Sequence, residues 1–139
     1  MIKKSILFVL FLIPTLLFAE RTKVACVGNS VTYGYKIDDR AFTYPAQLQQ
    51  LLSNTYRVEN FGHSGATLLQ KGHNPYRKLK VFEQALAFEP DIVVIHLGLN
   101  DTDPRNWPKF RDDFTRDYID LIRSFQEKNP ATKVWICRM

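Results

Sequence analysis

Val24-Ala25-Cys26-Val27-Gly28-Asn29-Ser30-Val31-Thr32-Tyr33-Gly34 runs from an apolar segment into an abrupt polar corner. The valines and their small neighbours suit a strand, Gly28 suits a sharp turn, and Asn29-Ser30 follow at once. This order places a serine at the carboxyl end of a β-strand, the end where helix N-termini and unpaired backbone N–H groups converge in open α/β sheets. A lone serine hydroxyl is a poor nucleophile. The corner acquires chemical meaning only with a base and an oxyanion site beside it.

Two later stretches repeat the pattern. Asn60-Phe61-Gly62-His63-Ser64-Gly65 follows a short apolar segment, and Gly98-Leu99-Asn100-Asp101 follows the most strand-like run in the chain, Asp91 to Leu97. Three successive strand ends therefore carry clusters of glycine and polar residues. In this order they resemble the N-terminal part of an SGNH (GDSL-type) hydrolase. The family's G-D-S block stands here as Gly28-Asn29-Ser30, its second block centres on Gly62, and its G-x-N-D block is matched in full by Gly98 to Asp101. The resemblance covers about residue 23 onward.

It implies a flavodoxin-like fold and a serine esterase or lipase that needs no cofactor and no metal. Ser30 would be the nucleophile. The oxyanion hole would comprise the Ser30 N–H, Gly62 and Asn100, with Asn29 and Asp101 in support. Asn29 replaces the family's aspartate, retaining hydrogen-bonding capacity without the charge. The family's last block, D-x-x-H, which supplies the general base, has no match before Met139. The chain as it stands is thus expected to be inactive, and it reads as the N-terminal portion of a longer protein, cut after a fourth strand. The favoured substrate is a small-molecule or polysaccharide ester, above all an acetylated sugar.

With 139 residues the chain has room for one domain, and 45% apolar residues suffice for a core. Formal charge is +5 and falls by two if Lys3 and Lys4 leave with a leader. The excess is scattered, without finger spacing or an aromatic-basic repeat, which argues against nucleic acid as a partner. Residues 1–19 have the basic start, apolar run and small closing residue of a secretory signal, shorter than a membrane span. The expectation is a secreted or periplasmic domain over 20–139, without stable membrane insertion. Cys26 and Cys137, both in expected strands, read as free buried thiols.

Along the chain, strands are expected at 23–28, 56–61, 91–97 and 133–138, and helices at 45–53, 77–88 and 109–128, with another starting at 66–69. Leu48, Leu51 and Leu52 form the first helix's apolar stripe, and Leu79, Phe82 and Leu86 that of the second. Asp112, Asp113, Asp117 and Asp120 read as solvated helix charge. The alternation of strands and helices predicts an α/β domain with an open, three-layer parallel sheet.

Competing readings attach to the same residues. Gly62-His63-Ser64-Gly65-Ala66 resembles the α/β-hydrolase elbow G-x-S-x-G with alanine in the last place, which would make Ser64 the nucleophile. Ser30 could instead be a helix cap, leaving a noncatalytic carbohydrate-binding or scaffold domain. His63 and His96 offer imidazoles near two strand ends, whereas His73 lies in a loop without a visible acid partner. Tyr33, Trp107 and the loop from Thr102 to Pro108 are candidates to line a pocket.

Overall fold

The computed structural model describes residues 20–52 and 54–138. The signal-peptide reading of 1–19, Ser53 and Met139 lie outside the described residues. Four parallel strands form one sheet: β1 (Thr22–Gly28), β2 (Tyr56–Gly62), β3 (Ile92–His96) and β4 (Lys133–Ile136). Their spatial order is β2-β1-β3-β4, with the first strand of the chain inside and the chain reversing its direction of travel across the sheet between β2 and β3. That order is the first four strands of a flavodoxin-like sheet, with its topological switch between β1 and β3.

The connecting helices are α1 (Ser30–Tyr33), α2 (Tyr44–Leu52), α3 (Lys80–Ala87), α4 (Trp107–Phe110) and α5 (Phe114–Lys128). Parallel neighbours cannot be joined by a hairpin, so each crossover must travel over a face of the sheet. Residues alternate between faces along a strand. Ala25, Val27, Val93 and Ile95 point to one side and are fully buried beneath Phe82 and Ala85 of α3 and Leu121 and Phe125 of α5. Phe82 meets Phe125 edge-on at 6.1 Å and Tyr76 at 5.9 Å, the tilted arrangement that ring quadrupoles favour. On the other side Cys26 is covered by Tyr44 of α2. Burial pushes the Cys26 thiol up to about 11.

Polar stitches close the amino ends of the strands. Asp91 accepts from the Lys23 N–H at 2.7 Å through its carboxylate and donates its own N–H back to the Lys23 carbonyl at 2.9 Å. Among the described residues, no helix is long and apolar enough to cross a membrane.

Several local expectations change. Residues 66–69 form no helix: Thr67 bridges to Pro75 instead, and the segment is buried as a loop with Leu68 and Leu69 in the interior. The expected helix at 77–88 begins as a 3-10 turn, Tyr76–Lys78, before α3 starts at Lys80. The expected helix at 109–128 divides into α4, a 3-10 turn at Arg111–Asp113, and α5. Leu51 is 83% exposed, because α2 packs through Tyr44, Pro45 and its neighbours rather than through that position. Cys137 lies just past β4 and is half-buried rather than buried, although both cysteines are free. Asp117 is the clearest reversal. It is 1% exposed, and its carboxylate accepts from the backbone N–H of Gln70 at 2.8 Å, tying the buried loop to α5.

Candidate active site

The three motif-bearing strand ends lie side by side. Gly28 is the register partner of Gly62 on one flank and of His96 on the other. Neighbouring strands are about 4.8 Å apart, so the segments leaving them share one edge of the sheet. Two bonds beyond the ladders hold them together: His63 N–H to the Gly28 carbonyl at 2.9 Å, and Asn29 N–H to the His96 carbonyl at 3.2 Å.

Ser30 is the first residue of α1 and is half-buried. The cap of this helix is Asn29, whose Oδ1 accepts from the Val31 N–H at 3.0 Å. The reading of Ser30 as the capping residue is thereby corrected, since the cap is filled by its neighbour. Capping needs only a side-chain acceptor, which the amide supplies as well as a carboxylate would. Neither the Ser30 hydroxyl nor its backbone N–H has a partner among the described residues. Asn29 is fully buried and its Nδ2 has none either.

Gly62 proves to be structural. Its N–H donates to Asn60 Oδ1 at 2.9 Å, while Asn60 Nδ2 donates to the Thr32 carbonyl at 2.8 Å. A Cβ on Gly62 would collide with the backbone of Thr32 and Tyr33, so the glycine lets β2 end directly against α1. With its donor engaged, Gly62 is not placed to serve an oxyanion, contrary to the expectation from sequence. The open donor is three residues later. Ala66 N–H bonds the His63 carbonyl at 3.1 Å, closing a turn in which Gly65 has φ +79°. Such a turn favours glycine at that corner. The Gly65 N–H has no acceptor among the described residues.

Asn100 lies on the 3-10 turn Leu99–Thr102 that follows β3. Its Nδ2 donates to the Ala66 carbonyl at 2.9 Å, which aims the side chain at the turn carrying Gly65 and leaves one amide hydrogen unused. Asp101 beside it is wholly buried and accepts from the N–H groups of Leu68 at 2.9 Å and Leu69 at 2.7 Å. Burial raises its pKa, while those same N–H groups pull it back down. The carboxylate therefore acts as a fixed acceptor that holds the 66–69 loop in place. An unpaired N–H pair there would cost about 1–3 kcal/mol each.

Asn106 had no signal in the sequence beyond its polar loop, yet it is 1% exposed and every polar atom of its side chain is engaged. None of the three histidine side chains hydrogen-bonds Ser30 among the described residues. His63 is exposed, His96 is half-buried with Nδ1 shielded and unpartnered, and His73 Nδ1 lies 2.8 Å from Asn106 Nδ2. Among the described residues no imidazole or carboxylate bonds the Ser30 hydroxyl. Ser64 sits in the turn after β2 with its hydroxyl shielded and unpartnered, and no helix follows it. The elbow reading requires a strand-to-helix corner, so it is corrected on that ground.

Tyr33 and Trp107 are 44% and 39% exposed, and Trp107 leans edge-on against Phe114 at 5.5 Å. A hollow of about 480 Å3 lined by Thr22, Lys23 and Asp91 opens at the amino ends of the strands, away from these groups. Among the described residues no group of three or more His, Cys, Asp or Glu side chains is placed to hold a metal.

Comparison with known proteins matches the chain over residues 26–139 to a family described as GDSL-like lipase/acylhydrolase. A protein named acetylxylan esterase, from Xylanibacter ruminicola, is 48% identical over 117 residues, which is 82% of this chain and 24% of that one. Among solved structures, AlinE4, titled an SGNH-hydrolase family esterase, superposes with a TM-score of 0.63 at 21% identity. The superposition covers 86% of this chain and 60% of that chain. The chain thus spans about a quarter of the curated relative and three fifths of the solved neighbour.

Proposed function

The chain belongs to the GDSL-like lipase/acylhydrolase family, and on that premise we propose that it carries the nucleophile and oxyanion site of a serine esterase that removes acetyl groups from carbohydrate. The observation that carries this reading is the grouping of unengaged polar groups at three strand ends in register: the Ser30 hydroxyl and N–H, the Gly65 N–H, and one hydrogen of the Asn100 amide.

In the proposed reaction the Ser30 oxygen attacks the ester carbonyl carbon. The carbonyl π electrons move onto oxygen, and the resulting oxyanion accepts from Ser30 N–H, Gly65 N–H and Asn100 Nδ2. Each such donor, held in place beforehand, contributes about 3 kcal/mol to the transition state. Collapse of the tetrahedral intermediate breaks the bond to the sugar oxygen, which leaves as the alcohol after taking a proton. Water then attacks the acyl-enzyme and releases acetate, regenerating Ser30. The base that takes the serine proton lies outside the described residues. The family's D-x-x-H pattern is the proposed source. The name of the 48% identical relative supports an acetylated polysaccharide as substrate, and the leader-like residues 1–19 support export.

The second reading is a noncatalytic carbohydrate-binding domain, in which the Ser30 hydroxyl has no chemical role. One experiment separates them. The longest natural polypeptide containing this sequence is assayed on p-nitrophenyl acetate and acetylated xylo-oligosaccharides, alongside Ser30→Ala. The esterase reading expects a loss of at least about a thousandfold in kcat for the variant. Equal rates with and without the hydroxyl would remove Ser30 from the mechanism.

A further inference from the structure

The hydrogen bonds of Asn106 determine its orientation atom by atom. Its Oδ1 accepts from the His73 backbone N–H at 3.0 Å, and its Nδ2 donates to the Asn100 carbonyl at 3.0 Å. A backbone N–H only donates and a carbonyl only accepts, so the two contacts leave no freedom to exchange the amide ends. The second hydrogen on Nδ2 then faces His73 Nδ1 at 2.8 Å. That ring nitrogen must be the unprotonated one, and the ring proton sits on Nε2. A doubly protonated ring would set N–H against N–H. Turning the Asn106 amide over would relieve that clash only by creating two others, at the His73 N–H and the Asn100 carbonyl.

We propose that Asn106 is a positioning residue for Asn100, and that His73 is its latch, closed when the ring is neutral and opened by acid. The proposal rests on the assignment of Asn100 to the oxyanion site made above. Asn100 is held through its carbonyl, which accepts from Asn106 Nδ2 at 3.0 Å and from the Asp103 N–H at a longer 3.4 Å, and through its side-chain amide, which donates to the Ala66 carbonyl. The direction of its remaining N–H depends on both. Loss of the Asn106 contact leaves the carbonyl with only the longer Asp103 bond, and a displacement of about 1 Å at such a donor costs up to about a hundredfold in rate. The charged groups facing His73 are the carboxylates of Asp101 and Asp103, both on or beside the turn after β3, and Asp103 is paired with Arg105 at 2.8 Å. They attract a cationic ring while the Asn106 amide opposes it, so acid shifts the balance between the two.

Nitrogen NMR of the full chain tests the latch without any activity. The expected result is a His73 ring protonated on Nε2 at neutral pH, with the Asn106 side-chain amide and the Asn100 backbone amide shifting together with the ring as pH falls. In His73→Ala both signals should lose that transition. A ring protonated on Nδ1 at neutral pH, or Asn100 signals that stay still while His73 titrates, would overturn the proposal. In the longest natural polypeptide, Asn106→Asp places an oxygen against the Asn100 carbonyl. It is expected to lower kcat about ten- to a hundredfold with KM within about twofold. An unchanged kcat in that variant sinks the proposal while leaving the esterase reading intact. Should Asn106→Asp fail to fold, the exposed His73→Ala decides, since its kcat profile must change shape on the acid side. If Ser30→Ala matches wild type, the esterase reading fails and takes with it the role of Asn106 towards an oxyanion, whereas an inactive Ser30→Ala with no coupling between His73 and Asn100 in the NMR overturns the latch alone.

Discussion

The two faces of the sheet carry similar apolar side chains and are finished very differently. Beneath α3 and α5, Ala25, Val27, Val93 and Ile95 are fully buried, and Leu121 and Phe125 close over them. Across the sheet α2 seals Cys26, but Ile92 and Val94 are only half-buried and Trp135 is 65% exposed. His96 belongs to this less covered side, with its Nδ1 shielded yet unpartnered among the described residues. The difference teaches that strand composition records which surface is suited to burial, and says nothing of what performs it. Stability should therefore depend strongly on one face and hardly at all on the β4 side of the other.

Phe125→Ala is the severest way to probe that contrast. The ring is wholly buried and packed edge-on against Phe82, so its removal leaves a cavity with little room to collapse, and a loss of about 3–5 kcal/mol in urea unfolding is expected. A cost below about 1 kcal/mol would show that the α3–α5 side is not the stabilising core.

Asp101→Asn comes next, because Asp101 anchors the loop that feeds Leu68 into that core. One of two buried N–H groups would face an amide NH2 instead of an oxygen, at about 1–3 kcal/mol near neutral pH. The pH dependence sharpens the test. The folded pKa of Asp101 is raised, with burial the leading cause, so the native state binds this proton more readily than the unfolded chain. Burying the charge therefore costs stability in full above the folded value, and that cost is relieved as pH falls through it towards the ordinary carboxylate value. Wild type should accordingly gain stability relative to Asp101→Asn on acidification, as read from paired melts. A difference that shrinks with falling pH would contradict the buried charge.

Trp135→Ser, on the less covered face, is the mildest. With 65% of the residue already exposed, unfolding free energy should change by less than about 0.5 kcal/mol, while self-association at high concentration should fall. A loss comparable to that of Phe125→Ala would abolish the distinction between the faces.

The parallel α/β architecture was legible because each strand is a compact β-rich run set between helical segments; Phe82 fell where periodicity put it. The positions of Ser30, Asn100 and Asp101 just beyond strand ends were legible because their polar blocks follow compact apolar runs. Gly62 was misassigned for a plain reason. Two glycines stand three residues apart, and nothing in their order tells which N–H the Asn60 side chain captures. Asp117 looked like surface charge because helical spacing does not reveal that a buried backbone N–H, that of Gln70, needs an acceptor there.

Local pattern was sufficient for the strands, the helices and the three polar corners, since these follow from side-chain shape, glycine and the alternation of apolar residues over a few positions. Tertiary structure alone settled which donors remain unused at the strand tips, that residues 66–69 are a buried loop, and that Asn106 grips both Asn100 and His73. Hydrogen-bonding capacity is limited and is shared among groups far apart in the chain. A residue's role at the site therefore depends on which distant partner reaches it first, and no short stretch of sequence records that competition.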